Sequence, residues 1–325
     1  MQIIYIRCDA NETNGYGHLS RCLNLARGIK EKNENFNVTF IGDYSPTAIS
    51  MIKKWNLNYY IFKEHDANDS MNLLHHMPNL EYLILDSYSI TQNYISKLSN
   101  LKFKLCLIAD ESITLNLSNV DMVVNYSINA QNFDYKSKEQ ALGLKYFPAK
   151  PEFKVIRELS FLKKHDATNH ILIMMGGHDR YSIGVSVLNI IDSLTVNKNV
   201  TYISSLPETD RVTIKNNKLK VLPFYENIED IYSTVDISIT GGGMSKYESC
   251  YCNIINACVP QNLNEYNDSL YFEANNLTTI LGTAYEYKEL DISSKISDLL
   301  KSPPCRPSNI FFTDSLDNLV EQILN

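Results

Sequence analysis

The 325-residue sequence lacks two features that mark nucleic-acid-binding and membrane proteins, an excess of positive charge and a long apolar run. Its 37 acidic residues outnumber its 30 lysines and arginines, for a net charge of −7. A polyanion such as DNA is therefore disfavoured as a main partner, although a small anion can still bind in a local pocket. No run approaches the roughly 20 apolar residues that span a membrane, and the apolar start is too short for a signal peptide. We expect a cytoplasmic protein with no nucleic-acid partner and no membrane insertion.

The sequence also lacks the motifs of several common metal and nucleotide sites. Its seven cysteines are odd in number and include no Cys-x-x-Cys pair. Buried thiols are therefore favoured over disulfides or a zinc site, even for the group Cys250, Cys252 and Cys258. The glycine-rich turn at Gly241 lacks the Gly-Lys-Ser/Thr ending of a P-loop, which disfavours a nucleoside triphosphatase. No Asp-x-Asp pair is present to hold a diphosphate-bound cation. We expect neither a metal nor another cofactor.

What the sequence does contain is an alternation of apolar, β-branched runs with amphipathic stretches, which predicts parallel sheets with helices on both faces. The strand-like runs are 2–7, 38–43, 82–88, 104–111 and 121–126, then 170–177, 199–206, 218–224, 236–240, 253–260 and 278–282. Between the two sets the pattern blurs, and 163–170 resembles a linker. One core rarely serves more than about 250–300 residues. We predict two doubly wound Rossmann-like α/β domains, 1–150 and 151–325, that face a cleft.

Ligands of such sheets bind beyond the carboxyl ends of the strands, and the segment NGYGHLSRC follows the first strand and opens a helix. Gly15 and Gly17 would let the backbone approach a ligand, and the helix start would offer free N–H groups to an anion. His18 would lie at the cleft as a group that exchanges a proton near neutral pH, with Arg21 one turn later. The alternative is an ordinary strand–helix turn with a capping histidine, because Gly-x-Gly alone is a weak signal.

Acidic residues follow two further strands of the first half. LILDSY ends with Asp86 and Tyr88, which are candidate site residues, although Asp86 is equally suited to cap the next helix. LIADE ends with Asp110 and Glu111. Such a pair suits acid–base chemistry, but a structural loop cap is the favoured explanation.

Two glycine-rich turns follow strands of the second half. In IMMGGHD, Gly176 and Gly177 follow a strand and precede Asp179, which makes this turn a further place for contact between backbone and ligand. In ISITGGGMSKYES, a strand leads through three glycines into a helix, the geometry of a phosphate cradle. The candidate binding residues of this cradle are Gly242, Gly243, Met244, Ser245 and Glu248. Glu248 is placed to hydrogen-bond ribose hydroxyls, or else is a solvated helix residue.

Amides cluster just past the next strand, in VPQNLNEYN. Gln261, Asn262 and Asn264 lie beside Glu265 there and share the carboxyl edge with the glycine cradle. Such a cluster suits sugar hydroxyls or N-acyl groups. The alternative is a turn rich in asparagine, which is common in this chain.

Taken in order, these motifs resemble those of the UDP-2,4-diacetamido-2,4,6-trideoxy-β-L-altropyranose hydrolase family of pseudaminic acid biosynthesis. The resemblance covers nearly the whole chain and rests on the order of the motifs. The matching positions are Arg7, Asp9, Gly15, Gly17, His18, Arg21, Asp86, Tyr88, Asp110, Glu111, Met175, Gly176, Gly177, Asp179, Glu248 and Asn264. The sequence departs from the family pattern at Asn14, where an apolar residue is usual, and at Glu265, where glutamine is usual. Gln261 and Asn262 are an alternative register for this part of the pattern.

The resemblance implies a metal-independent, GT-B-like enzyme with UDP in its C-terminal domain and the sugar and catalytic loop in its N-terminal domain. It implies His18 as the general base that activates water for inverting attack at the anomeric carbon. The positions that we expect to contact substrate are Arg7, Asp9, Gly15, Gly17, Arg21, Tyr88, Gly176, Gly177, Asp179, Gly242, Gly243, Met244, Ser245, Glu248 and Asn264. We expect a monomer that hydrolyses a UDP-sugar. Two alternatives stay open: a GT-B glycosyltransferase in which an alcohol replaces water, and a sugar-nucleotide-binding protein without catalysis.

Overall fold

The structure of the chain is a computed structural model, and the residues that it describes are 3–11, 13–62, 77–87, 90–99, 102–109, 115–161, 169–176, 179, 181–204, 213–223, 225, 227–304 and 309–325. The chain divides into two compact units. Unit 1 comprises Met1–Pro151 together with Phe311–Asn325, and unit 2 comprises Glu152–Ile310. Within the described ranges, no helix is both long enough and apolar enough to cross a membrane.

The described residues of unit 1 form a parallel sheet of seven strands. Strands β1–β7 span Ile3–Cys8, Asn37–Gly42, Asn58–Ile61, Tyr82–Asp86, Lys104–Ile108, Met122–Asn125 and Glu139–Leu142. Their order across the sheet is β3-β2-β1-β4-β5-β6-β7, and each neighbouring pair is parallel. The central strands β1 and β4 are nearly continuous apolar runs. Successive side chains of a strand point to opposite faces of the sheet, and both faces are buried when helices cover them.

Unit 2 repeats this design with six strands. Strands β8–β13 span His170–Met174, Asn199–Ile203, Lys218–Leu222, Ile237–Thr240, Ile255–Cys258 and Thr279–Ile280. Their order is β10-β9-β8-β11-β12-β13, again parallel throughout. Isoleucines of β8 and β11 lie in the centre of the core, and Val187 and Ile191 of the helix over 183–194 pack there.

Helices connect these strands, and local sequence signals fix where several of them start. The described α-helices α1–α10 span Gly17–Lys32, Pro46–Lys54, Gln92–Leu98, Phe153–Ser160, Ile183–Leu194, Ile228–Tyr232, Met244–Tyr251, Leu263–Ala274, Glu289–Lys301 and Ser315–Leu324. Ser45 caps α2 by accepting the N–H of Ala48 at 3.3 Å, with proline as the first helical residue. Asn262 caps α8 by accepting the N–H of Glu265 at 2.9 Å.

Both sheets have the strand order of Rossmann-like domains, which confirms the predicted fold class. In each sheet the order reverses between the first and the fourth strand, at β1 and β4 in unit 1 and at β8 and β11 in unit 2. These two topological switch points are where such sheets bind ligands.

The last helix differs from the expected domain division. The sequence analysis placed all of 151–325 in one domain, whereas α10 belongs to unit 1. The reason is close packing on α1, since a Cβ on Gly28 would lie 3.0 Å from Val320 Cγ2 and 3.1 Å from Leu316 Cγ. The exposed ion pair between Lys32 and Glu321 joins the same two helices, with 2.5 Å between Nζ and Oε1.

Candidate functional site

The switch point of unit 1 brings Asp86 beside the start of α1. Cys8, the last residue of β1, pairs in register with Asp86, the last residue of β4. The chain leaves β1 through a loop and enters α1 at Gly17 and His18. A Cβ on Gly17 would have no described heavy atom within 4 Å, so this residue faces open space. The topology therefore places an open helix start and a buried carboxylate where a ligand is expected.

Asn11 organises the loop that precedes α1. Its carbonyl oxygen accepts the N–H of Gly15 at 2.8 Å, and its side-chain oxygen accepts the N–H groups of Thr13 and Asn14 at 3.0 and 2.9 Å. Gly15 has a φ of +72°, a left-handed conformation that favours glycine. The described N-cap residue, Tyr16, makes no side-chain capping bond, and no acidic residue lies in the first turn. Such a helix start suits an anion.

His18 and Asp86 form a buried pair, with residue exposures of 8% and 0%. His18 Nδ1 lies 2.6 Å from Asp86 Oδ1. Burial acts to raise the pKa of Asp86, but Arg21 and then His18 outweigh burial and hold this pKa well below its ordinary value. An ionised carboxylate has no proton to donate, so the hydrogen of this contact belongs to Nδ1. The neutral ring is then the tautomer that accepts a proton at Nε2.

Arg21 reaches the same carboxylate from one turn further along α1. Its Nε lies 2.6 Å from Asp86 Oδ2, and its Nη2 contacts Oδ1. Its Nη1 contacts the hydroxyl of Tyr126, just after β6, and the Cys22 thiol lies 3.2 Å from Asp86 Oδ2. These partners explain how a fully buried charge is tolerated. The guanidinium of Arg21 thus bonds to Asp86, and the contact of Arg21 with substrate stays a prediction.

Arg7 and Asp9 also pair with each other, at the carboxyl end of β1. Arg7 Nη1 contacts Asp9 Oδ1, and both residues are buried. Asp9 Oδ1 also accepts the N–H of Asp43 at 2.8 Å, which links the loops after β1 and β2. The pair thus has a structural function beside the predicted substrate contact, which stays a prediction.

The switch point of unit 2 carries two glycine turns. Gly176 follows β8 with a φ of +90°, a conformation that favours glycine. Gly241 follows β11, and a Cβ there would lie 2.7 Å from the carbonyl oxygen of Met175, so the two turns approach closely. Gly243 is the N-cap of α7 and has no side chain with which to cap it. A helix that starts in this way offers its first N–H groups to an anion.

Glu265 packs against this second glycine turn from the first turn of α8. Its Oε2 accepts the N–H of Gln261 at 2.8 Å, and Gln261 Nε2 donates to the carbonyl oxygen of Met175 at 2.5 Å. A Cβ on Gly242 would lie only 2.5 Å from Glu265 Cβ. The departure from the family pattern at Glu265 therefore has a structural function, since its carboxylate closes the turn before α8.

Lys246 follows the glycines but is committed to α8. It is fully buried, and its Nζ lies 2.7 Å from Asp268 Oδ2 and 2.9 Å from Ser269 Oγ. The hydroxyl of Tyr247 donates to the same Asp268 carboxylate at 2.9 Å. These bonds tie α7 to α8 and thereby hold the glycine turn. The lysine therefore does not act in the manner of a P-loop lysine.

Glu248 is half-buried on α7, where its Oε2 accepts the Tyr232 hydroxyl at 3.3 Å. Burial and then Glu248 raise the pKa of Tyr232 well above its ordinary value, so this hydroxyl remains the donor. Glu248 is thus partly buried and hydrogen-bonded within unit 2, and its contact with ribose stays a prediction. Met244 and Ser245 are half-buried in the first turn of α7, and Asn264 is exposed in the first turn of α8. Their contacts with substrate stay predictions.

Asp179 caps a helix. Its Oδ1 accepts the N–H of Ile183 at 2.9 Å, and its Oδ2 accepts the N–H of Gly184 at 2.7 Å, both in the first turn of α5. This bonding gives Asp179 a structural function beside its predicted contact with substrate. Other candidates lie outside the described residues, namely Tyr88, Gly177, Asp110 and Glu111. Among the described side chains, no group of three His, Cys, Asp or Glu residues could hold a metal ion.

The partnership of Asp86 with His18 was not predicted from the sequence. Asp86 was predicted to be either a site residue or a helix cap, and the available signal was its position at the end of a buried strand next to β1. Tyr126 carried no recognised signal, because it meets Arg21 across 105 residues of chain. The Lys246–Asp268 pair was likewise invisible, since charged residues on predicted helices are normally solvated.

Comparisons with known proteins support the fold. No protein-family model matches the chain. The uncharacterized protein MJ1062 of Methanocaldococcus jannaschii is 26% identical over 268 residues, which are 77% of this chain and 54% of that protein. The chain therefore spans about half the length of this curated relative.

Solved structures resemble the chain over nearly its full length. MurG of Acinetobacter baumannii has a TM-score of 0.65 at 14% identity, covering 99% of this chain and 95% of that one. The UDP-GlcNAc 2-epimerase of Neisseria meningitidis, bound to UDP-GlcNAc, has a TM-score of 0.66 at 10% identity, covering 100% and 99%. The chain has a GT-B-like fold. The UDP-GlcNAc 2-epimerase of Methanocaldococcus jannaschii shares this fold, with a TM-score of 0.63 at 11% identity and coverage of 100% and 99%.

Proposed function

We propose that the chain hydrolyses a UDP-sugar to UDP and the free sugar, with His18 as the general base. The observation that carries this proposal is the buried His18–Asp86 pair at the switch point of unit 1, where a carboxylate orients an imidazole. An Asp–His pair of this kind supports proton abstraction in many hydrolytic sites. The UDP-GlcNAc 2-epimerase of Neisseria meningitidis, which shares the fold and was solved with UDP-GlcNAc bound, favours the same class of substrate.

In this mechanism, His18 Nε2 accepts a proton from water while the water oxygen attacks the anomeric carbon. The bond between that carbon and the UDP oxygen breaks, and UDP leaves with the electron pair. Attack from the face opposite UDP inverts the anomeric centre. Asp86 accepts the Nδ1 hydrogen throughout and stabilises the imidazolium as it forms. No residue is assigned as acid, because UDP is already a good leaving group.

Unit 2 supplies the nucleotide contacts of the proposal. The N–H groups at 241–245 would receive the diphosphate, since the first turn of α7 has no side chain at its N-cap. Glu248 would accept ribose hydroxyls, and Asn264 would contact the sugar. Following the sequence resemblance, the proposed substrate is UDP-2,4-diacetamido-2,4,6-trideoxy-β-L-altropyranose, in pseudaminic acid or a related nonulosonate pathway, and no metal takes part.

The test is to incubate the protein with a panel of UDP-sugars without any acceptor and to measure free UDP. We expect UDP to be released, and the product sugar to be unphosphorylated by NMR. His18→Asn keeps a hydrogen-bonding side chain of similar size but no base, and should reduce turnover about 10²–10⁴-fold with UDP affinity little changed.

Other outcomes would overturn the proposal in distinct ways. Release of UDP only when an alcohol acceptor is added would indicate a glycosyltransferase. Binding of UDP-sugar with no turnover would indicate a non-catalytic binding protein. Conversion of one UDP-sugar into another would indicate an epimerase. Near-normal turnover in His18→Asn would remove this residue from catalysis.

A further inference from the structure

Arg21 directs all three of its guanidinium nitrogens into the buried cluster. Nε and Nη2 each contact one oxygen of Asp86, and Nη1 contacts the hydroxyl of Tyr126. Nη2 also lies 3.2 Å from His18 Nδ1. Arg21 is only 4% exposed. Its positive charge therefore sits against both members of the His18–Asp86 pair.

We propose that Arg21 is a positioning residue that keeps the His18 imidazole uncharged by neutralising Asp86. The substrate contact predicted for Arg21 from the sequence stays a prediction beside this function. Only the effect of Arg21 on catalysis rests on the proposed function. The charge state of His18 itself is measurable without any substrate.

The physical reason is the balance of charge around the imidazole. A buried carboxylate alone would stabilise the imidazolium, and a protonated His18 could not take a proton from water. Arg21 compensates the charge of Asp86 through a bidentate contact. Its own positive charge, 3.2 Å from His18 Nδ1, also disfavours a positive charge on the imidazole. His18 then stays available as a base, while Asp86 still accepts the Nδ1 hydrogen and fixes the tautomer.

Thiols and a phenol are the other described groups around the pair. Cys22, which lies beside Asp86 on α1, is fully buried, and burial raises the pKa of its thiol well above the ordinary value. Cys8 at the end of β1 interacts with Cys22, and Tyr126 reaches the cluster through Arg21. Cys106 on β5 also interacts with Asp86, and burial raises the pKa of its thiol to about 12. Arg21 and Asp86 are the charged side chains that the structure places against His18.

The experiment is an NMR titration of the His18 ring in the full chain labelled at histidine, with His18→Asn used to assign the signal. Arg21→Met removes the cation and keeps bulk, and the midpoint of the His18 titration should rise by about one to three pH units. Asp86→Asn removes the anion and leaves Arg21 in place, so the midpoint should fall. Arg27→Met is the matched control, because Arg27 lies on the same helix but stacks 3.6 Å from the Trp55 ring. Its midpoint should equal that of the wild type.

An unchanged midpoint in either Arg21→Met or Asp86→Asn would overturn the inference, as would shifts of the same sign in both. If Arg21→Met fails to fold, Arg21→Lys retains a charge without the planar fork, and Asp86→Asn still tests the predicted sign. The acidic limb of the rate profile should move with the NMR midpoint in each variant. The wild type could fail to release UDP while the midpoint still rises in Arg21→Met and falls in Asp86→Asn. That result would reject the proposed function and leave the inference standing. UDP release with no midpoint shift would reject the inference alone.

Discussion

A methyl group added at Gly242 should disturb the glycine turn of unit 2, whereas one added at the next residue should not. A Cβ on Gly242 would lie 2.5 Å from Glu265 Cβ, while the nearest atom to a Cβ on Gly243 is Glu265 Oε1 at 3.7 Å. Carbon atoms prefer a separation of about 3.5–4.0 Å, so Gly242→Ala requires a movement of roughly 1 Å. Each Cβ is fixed to its backbone, so α8 or the turn itself must move.

Overpacking of this kind costs about 1–3 kcal/mol, and we expect Gly242→Ala to lose that much free energy of unfolding. Gly243→Ala is the matched control and should stay within about 1 kcal/mol of the wild type, because its φ of −86° is outside the left-handed region and its Cβ would meet no atom closer than 3.7 Å. Urea unfolding followed by circular dichroism measures the free energy of unfolding of the two variants. The rise in melting temperature that UDP causes shows whether the glycine turn still binds the nucleotide. Equal stability of the two variants would show that Glu265 does not pack on Gly242 as described.

Three further predictions concern UDP binding, the effect of metal chelation on turnover, and the stability of the fold at low pH. UDP should raise the melting temperature, and Glu248→Gln should reduce that rise, whereas an equal rise in the variant would move the ribose contact elsewhere. Turnover should survive EDTA, and a loss that magnesium or manganese restores would contradict the metal-free mechanism. Because the folded-state pKa of Asp86 is lowered, the stability that it contributes is present above the unfolded value of about 3.9 and is lost as pH falls below it. Urea unfolding from pH 7 to pH 3 should therefore show a smaller loss in Asp86→Asn than in the wild type; parallel losses would be inconsistent with the buried ion pair.

The sequence predicted the fold well where burial imposes a simple pattern. Strands β1 and β4 are buried on both faces, so their apolar runs were recognised, and the alternation with helices led to the correct fold class. Strands β3 and β7 were missed because they lie at the sheet edges, where residues such as Tyr60 and Glu139 are exposed and no apolar run is needed. The return of α10 to unit 1 depends on packing against Gly28, which helical periodicity does not encode.

The candidate site was predictable as a set of positions but not as a set of bonds. Strand ends and glycine turns identified His18, Gly176 and the turn after β11, because a parallel sheet gathers its carboxyl ends along one edge. The ion pair of Arg21 with Asp86 joins residues 65 positions apart. The two side chains meet because the fold turns the Arg21 guanidinium toward this carboxylate. Tertiary contacts of this kind carry no local periodicity or spacing.

Hydrolysis in H₂¹⁸O tests the central claim most directly. If His18 activates water for attack at the anomeric carbon, the bond that breaks joins that carbon to the UDP oxygen. Mass spectrometry should then find UDP without ¹⁸O, with the label in the free sugar when the reaction is quenched early. A control with UDP alone in the same water measures any label that enters UDP by exchange. Incorporation of ¹⁸O into the β-phosphate of UDP beyond that control would place the attack at phosphorus and contradict the account.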